Sequence, residues 1–275
     1  MAAIDDSKLP ISCFIVAKNE ADRIGRTIAS VRGLVGEVVV IDSGSTDATQ
    51  TIAEAAGARV IFNAWPGFGQ QKRFGEIQCR YEWLLNLDAD EVVTETLGQE
   101  IRALFAGREP NHAGYWMSDQ IIYPGATRPR PFARDHYFLR LYDRRRMRFA
   151  DSTLHDNVDA GAHPTGHLRA ALHHHSVRSF DDLIAKNDER ASYNAAHAKP
   201  KHRAELAVRV FTELPTQFFK YYIWRTHVLG GIAGFQYASI LAFYRFVRIV
   251  RMREGQSAPV TEMNRTQKRP GARPE

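Results

Sequence analysis

Carboxylates gathered at the ends of apolar runs mark where this sequence can do chemistry. Asp88-Ala89-Asp90 follows directly on the apolar run that begins at Trp83. In an extended segment residues i and i+2 point to the same side. Two carboxylates so placed can hold one divalent cation, or bridge a cation and a sugar hydroxyl. Oxygen ligands suit Mg²⁺ or Mn²⁺ rather than zinc. A cation there would neutralise a diphosphate leaving group as its charge develops. Two earlier apolar runs end in the same way, one in Ala17-Lys18-Asn19-Glu20 and one in Asp42-Ser43-Gly44-Ser45-Thr46-Asp47. A single polar strand end means little, because loops are polar. Three acidic ends on one sheet edge describe a binding site.

The middle of the chain adds other reactive types. His173-His174-His175 invites a metal reading, but consecutive residues of an extended chain alternate sides, so all three cannot readily bind one ion. His163-Pro164-Thr165-Gly166-His167 reads as a surface turn. Arg128, Arg130, Arg134, Arg140, Arg144, Arg145, Arg146 and Arg148 place eight arginines within 21 residues. They suit an anionic or phosphorylated acceptor, with a solvated loop as the plain alternative. Asp135, Asp143, Asp151 and Asp156 are the carboxylates of this region.

The elements that must carry these groups alternate in type. Ile11–Ala17, Glu37–Ile41, Ala58–Phe62 and Trp83–Asp88 read as strands. Between them, Asp22–Val31 has helical spacing, Ser45 or Thr46 can cap a helix to Ala56, and Gly67–Arg80 reads as a third helix. Thr94–Phe105 is a fourth. Strands alternating with helices imply a parallel sheet covered on both faces, whose ligands bind beyond the carboxyl ends of the strands. Gly114–Tyr123 and His136–Asp143 read as further strands. Helical patterns then cover Ser179–His197 and His202–Trp224, with a kink expected at Pro215. The last apolar stretch is Val228–Tyr244.

Composition narrows the class. The chain has 275 residues, 44% hydrophobic and 25% charged, which suits a globular protein with an ample core. Its net charge of +6 favours anionic partners without choosing among them. Cys13 and Cys79 form no CxxC or Cys/His array, which argues against a disulfide scaffold or a zinc finger and for a reducing, cytoplasmic compartment. The first ten residues lack the basic and apolar regions of a signal peptide. Dinucleotide, P-loop and GxSxG fingerprints are missing. No nucleic-acid module accompanies the arginines, so nucleic acid is not expected as a partner.

Ile15-Val16-Ala17-Lys18-Asn19-Glu20, Val40-Ile41-Asp42-Ser43-Gly44-Ser45-Thr46-Asp47 and Leu87-Asp88-Ala89-Asp90-Glu91 together resemble the family 2 glycosyltransferases. Gly67-Phe68-Gly69-Gln70-Gln71-Lys72-Arg73 is similar to the family as well. Leu154-His155-Asp156 and Leu172-His173-His174 resemble elements of the bacterial lipopolysaccharide-core glucosyltransferases. The resemblance covers about residues 10–250. It implies a GT-A-like α/β fold with a C-terminal helical extension, a nucleoside-diphosphate sugar donor (a UDP-sugar), and inversion at the anomeric carbon. Ala17, Asn19 and Glu20 would line the nucleotide pocket, Asp42 would meet the base or ribose, and Lys72 the base or diphosphate. A lysine on a helix is otherwise simply solvated. Asp88 would face ribose and metal, Asp90 would bind the metal directly, and His174 matches a late histidine ligand. Asp156 stands where the family has Glu, one methylene longer, and becomes the candidate general base.

The organisation expected is a disordered N-terminus over 1–10, a donor half over 11–107, an acceptor half over 108–178, a membrane-associating helical extension over 179–252 and a disordered tail over 253–275. Val228–Tyr244 holds 17 residues without formal charge, short of the about 20 that span a bilayer. With Arg245, Arg248, Arg251 and Arg253 after it, it suits a helix lying in an anionic membrane interface, and a core helix is the alternative. The expected enzyme is peripheral on the cytoplasmic face of the inner membrane and acts on a lipopolysaccharide-core or other glycolipid hydroxyl. Transfer to a polyprenyl phosphate, or a nucleotide-sugar-binding protein with a degenerate site, are the rival readings.

Overall fold

A computed structural model of the chain describes residues 8–107, 109–133, 136–153, 156–199 and 201–257. Arg134, Asp135, Leu154 and His155 lie outside the described residues. The elements in chain order are β1 (Leu9–Ala17), α1 (Ile24–Val31), β2 (Val35–Asp42), α2 (Thr49–Ala55), β3 (Arg59–Phe62), α3 (Phe68–Gln78), β4 (Trp83–Asp88), β5 (Glu91–Val93), α4 (Glu95–Leu104), β6 (Gly114–Ile121), β7 (His136–Asp143), β8 (Arg148–Phe149), β9 (Val158–Asp159), β10 (Thr165–His174), α5 (Phe180–Ala196), α6 (Arg203–Phe219) and α7 (Gly231–Ser257).

The first unit, built on residues up to Ile122 with 127–129 and 133–176, is an α/β layer structure. Its main sheet has the order β3-β2-β1-β4-β7-β6-β10-β5. The four early strands pair in parallel. Strand β7 then runs antiparallel to both β4 and β6, β10 is parallel to β6, and β5 is antiparallel to β10. The sheet is therefore mixed, where a purely parallel one was expected. Local β-branched patterning is the same for either direction, and pairing direction is decided by long-range packing.

Strand periodicity sorts the core into two layers. Cys13, Ile15 and Ala17 of β1 face Ile24, Ile28 and Val31 of α1 and Leu97 and Ile101 of α4. Phe14, Val39, Ile41 and Leu84 face the other way, with Tyr142 and Phe149. Phe14, Ile15, Ile28 and Leu97 are fully buried, each contributing about 1.5–3 kcal/mol by leaving water. Helix α3 sits very close to β1, since a Cβ on Gly75 would meet Phe14 Cδ2 at 2.7 Å.

Thr94 caps α4 as expected, its hydroxyl accepting from Leu97 N at 3.2 Å. Ser45 and Thr46 do not cap α2. That helix starts only at Thr49, whose amide donates to Asp47 Oδ1 at 3.0 Å, while Ser45 is engaged with Asp42. His163–His167 is only half a turn, because Thr165 already opens β10.

The second unit contains Tyr123–Ala126, Arg130–Phe132 and the chain from Val177 on. Ser179 caps α5, accepting from Asp182 N at 3.0 Å. Pro215 lies inside α6, which widens into a π turn at Lys220–Trp224 instead of stopping. A left-handed Thr226 and a 3₁₀ turn at His227–Gly230 lead into α7. Helix α7 continues to Ser257, past the tail boundary expected at 253. Its Ala238, Ala242, Ile249 and Met252 are buried, and Arg251 pairs with Asp188 of α5 at 2.7 Å. No helix among the described residues is long and apolar enough to cross a membrane.

Candidate active site

The carboxyl ends of β1, β2 and β4 open on one edge of the first unit's sheet, as the registers Ala17↔Asp42 and Val16↔Asp88 require. The loops that follow are stitched together. Asn19 takes a left-handed conformation with φ 56°. Its amide donates to Ser45 Oγ and its side-chain oxygen accepts from Thr46 N, each at 2.9 Å. Glu20 N donates to Thr49 Oγ1 at 2.8 Å. Asp42 is fully buried and accepts from Gly44 N, Ser45 N, Ser45 Oγ and Gln50 Nε2. Burial raises its carboxyl, and the bonds from Ser45, Gly44 and Gln50 outweigh that and leave it below the ordinary value. Its visible work is to shape this loop. The Ala17 side chain belongs to the core, and its carbonyl accepts from Ser43 N.

Around Asp88 the groups are cationic and buried. Lys72 is 4% exposed, far from the solvated lysine that a helical position suggests. Its ammonium donates to Asn86 Oδ1 and Asp88 Oδ1, and pairs with Asp156 Oδ2, each at 3.0 Å. Arg140 of β7 reaches Asn86 at 3.1 Å, Asp88 Oδ2 at 2.8 Å and the buried Glu91. Burial pushes the Asp88 carboxyl up, but Arg140 and Lys72 prevail and hold it far below the usual range. For Glu91 burial prevails over Arg140, and its carboxyl is raised.

Asp90 heads a second chain of contacts. Its oxygens face Arg23 at 3.2 Å and His174 Nε2 at 3.4 Å. Arg23 also binds Glu20. His174 arrives because β10 pairs with β5 in the register His174↔Glu91. Its Nδ1 lies 2.9 Å from Asp119 Oδ2, and Asp119 also accepts from His136 N at 2.7 Å. Burial lowers the His174 imidazole, yet Asp119 and Asp90 overturn this and raise it to about 11. Of the three histidines, His174 alone meets Asp90 by its side chain. His175 donates its amide to the Asp90 carbonyl, and its ring stands 3.4 Å from Arg26.

The structure thus brings Lys72, Asp88 and Asp156 together, and Asp90 with His174. Arg23, Glu91, Asp119, His136 and Arg140 complete the cluster; the sequence named Glu91 only within its motif and Arg140 only as one of eight arginines, and it did not single out Arg23, Asp119 or His136. Two of them carried a signal: Arg140 interrupts the apolar run Leu139–Tyr142, and Asp119 is an acid within a strand pattern. The arginine-rich stretch does not act as one patch. Arg140 is in this cluster, Arg144 binds Glu82, Arg145 binds Asp143 and Glu109, and Arg130 in the second unit donates to the Arg225 carbonyl. Arg144, Arg145, Arg146 and Arg148, with Arg73 and Asp151, line a cavity of about 520 Å³.

Among the described residues no three His, Cys, Asp or Glu side chains stand in ligand geometry, since Asp88 faces Lys72 and Arg140. The donor set nonetheless fits a divalent cation. Six carboxyl side chains (Glu20, Asp88, Asp90, Glu91, Asp119, Asp156) meet three permanent cations, Arg23, Lys72 and Arg140, so the cluster is rich in oxygen donors. His174 also has the orientation of a metal-binding imidazole, one nitrogen held by a carboxylate and the other turned to Asp90.

Comparison with known proteins identifies the family. Residues 12–162 match the model of glycosyl transferase family 2. An uncharacterized glycosyltransferase of Rickettsia bellii is 37% identical over 253 residues, covering 89% of this chain and 86% of the relative. The lipopolysaccharide core biosynthesis glycosyltransferase LpsC of Rhizobium meliloti is 28% identical over 258 residues, covering 89% and 92%. Glucosyl-3-phosphoglycerate synthase from Mycobacterium tuberculosis, solved with Mn²⁺, UDP-glucose and phosphoglyceric acid, is 26% identical over 42% of this chain and 44% of that one, with a TM-score of 0.32. The chain belongs to glycosyl transferase family 2 and is a nucleotide-sugar-dependent glycosyltransferase with a GT-A-like fold and a C-terminal helical extension.

Proposed function

We propose that this enzyme moves a sugar from a UDP-sugar, with inversion, to a hydroxyl of a lipopolysaccharide-core or related glycolipid acceptor. The observation that carries the reading is Lys72, which holds the donor-side Asp88 and the base candidate Asp156 at 3.0 Å each. The relative named for lipopolysaccharide core biosynthesis supports the acceptor class.

In this reading the stitched loops bearing Asn19, Glu20 and Asp42 receive the nucleoside. Asp88, Asp90 and His174 would hold Mg²⁺ or Mn²⁺. The cation supplies charge neutralisation for the diphosphate as it leaves. The Asp156 side chain is 45% exposed, open enough for an acceptor to reach it. It takes the proton of the acceptor hydroxyl as that oxygen attacks the anomeric carbon and the bond to the diphosphate oxygen breaks on the opposite face. The enzyme works peripherally at the cytoplasmic face of the inner membrane.

Thermal shift with a panel of nucleotide sugars, with and without Mn²⁺, tests the donor class, because a ligand of the folded state raises Tm by mass action. A UDP-sugar should raise Tm only when Mn²⁺ is present. No shift from any nucleotide sugar under either condition overturns the proposal.

A further inference from the structure

The second unit exposes far more apolar surface than a solvated helical extension requires. Phe211 is 82% exposed, Trp224 81% and Ile232 80%. Val208, Phe219 and Phe235 are also exposed. They are not scattered singly. Val208 and Phe211 lie three apart on one face of α6, and Phe219 and Trp224 continue along its end and the π turn. Phe235, on the first turn and a half of α7, packs edge-on against Phe218 and Tyr222, both with ring centroids 5.6 Å away. That contact brings the start of α7 against the end of α6 and the π turn. Large exposed apolar side chains concentrated on adjoining elements mark an interaction site.

Charge says what the surface meets. From Val208 to Arg253 the sequence holds seven lysines and arginines and one acid, Glu213, which is buried and paired with Arg209. Lys220 and Arg225 fall within the apolar stretch itself. A second copy of the chain would bring these cations against their own equivalents, since a two-fold contact pairs a patch with itself. An anionic bilayer takes aromatic side chains at its headgroup level and attracts the cations beside them.

We propose that the exposed face of α6, the π turn and the first turns of α7 form a monotopic docking surface for an anionic lipid bilayer. Phe211, Trp224 and Ile232 enter the acyl boundary, and Lys220 and Arg225 meet lipid phosphates. This places the contact at the joint between the two helices. Two of the four arginines of α7 are engaged within the unit instead, Arg251 with Asp188 and Arg245 with the Tyr221 hydroxyl. The surface deepens the glycolipid-acceptor reading and rests on it for its purpose, but its test needs neither donor nor acceptor.

The full chain is sedimented with vesicles of phosphatidylcholine alone or with a third phosphatidylglycerol. Binding to the anionic vesicles is expected, falling with salt. Phe211→Ser, Trp224→Ser and Ile232→Ser together should weaken it about 1000-fold, at roughly tenfold for each apolar side chain no longer buried. Lys220→Gln and Arg225→Gln should each cost about fivefold and flatten the salt dependence. Quenching of wild-type tryptophan emission by bromine-labelled acyl chains, lost in Trp224→Phe, reads insertion without relying on the triple variant. Thermal shift with donor should be the same for all these variants, which separates failure of this surface from failure of the donor reading. No binding by the wild type, equal binding to neutral vesicles, or unchanged binding of the triple variant overturns the proposal. So does a wild-type dimer that the triple change converts to monomer in the absence of vesicle binding.

Discussion

Replacing Arg140 with methionine would strand a buried carboxylate, and the structure says which one. Asp88 and Asn86 would keep Lys72, at 3.0 Å from each. Glu91 is fully buried and would lose its cation, keeping the amide of Asp88 at 2.9 Å. Breaking a buried pair by removing one partner costs about 3–5 kcal/mol. Burial already raises the Glu91 carboxyl above its ordinary 4.5, and without Arg140 it rises further. A carboxyl with a folded pKa above its unfolded value loses stability as pH climbs from the unfolded pKa toward the folded one. The deficit of Arg140→Met should therefore be smallest near pH 5 and grow through pH 8. Adding Glu91→Gln should restore at least half of it and remove the pH dependence. Urea denaturation followed by far-UV circular dichroism at pH 5, 6.5 and 8 measures this, and heating should show a fall in Tm of about 10 °C at pH 8. A loss under 1 kcal/mol, or a double variant no more stable than the single, would refute the argument that Arg140 is held for charge compensation.

Asp156→Asn should leave donor binding intact and lower turnover by about 10²–10⁴, the ordinary contribution of a general base; single-turnover transfer with the donor saturating checks it, and wild-type transfer would make Asp135 or Asp151 the next candidate. Asp90→Asn should abolish metal-dependent turnover with the fold retained, read as donor hydrolysis at saturating Mn²⁺ beside an unchanged circular dichroism spectrum. Glu37, bonded to Ser12 Oγ and Arg80 N at 2.7 Å each, has a carboxyl lowered from 4.5 despite its burial. Its stabilising contribution is present above pH 4.5 and fades as pH falls through the depressed value, so Glu37→Gln should cost about 1–3 kcal/mol at pH 7 and progressively less below pH 4.

Much of the donor half could be read from local pattern. The apolar runs ending at Ala17, Ile41 and Asp88 lie within β1, β2 and β4, and Thr94 begins α4 as its hydroxyl suggests. Strand β10 was missed because its burial alternates poorly and Gly166 sits near its start, so it carries no clean period of two. Strands β8 and β9 are two residues each, too short to leave a pattern. The helical position of Lys72 suggests a solvated side chain, and only tertiary packing of α3 on the sheet buries it against Asn86. Arg140 and Asp119 meet partners dozens of residues away, brought near by a register that no local window contains.

The start of α3 settles one more matter. Gly67 has φ 145°, and a Cβ there would lie 2.6 Å from the Thr153 backbone. That close approach lets Phe68 N and Gly69 N donate to the carbonyls of Thr153 and Ser152. These are among the amides that the first turn of a helix leaves open, and in many nucleotide-binding folds such amides cradle a phosphate. Here the Phe68 and Gly69 amides are already engaged, so these two are not open to a diphosphate. In the proposed reaction, compensation of the leaving group would fall instead to side-chain cations and a divalent cation, and single substitutions could tune it where a backbone cradle could not.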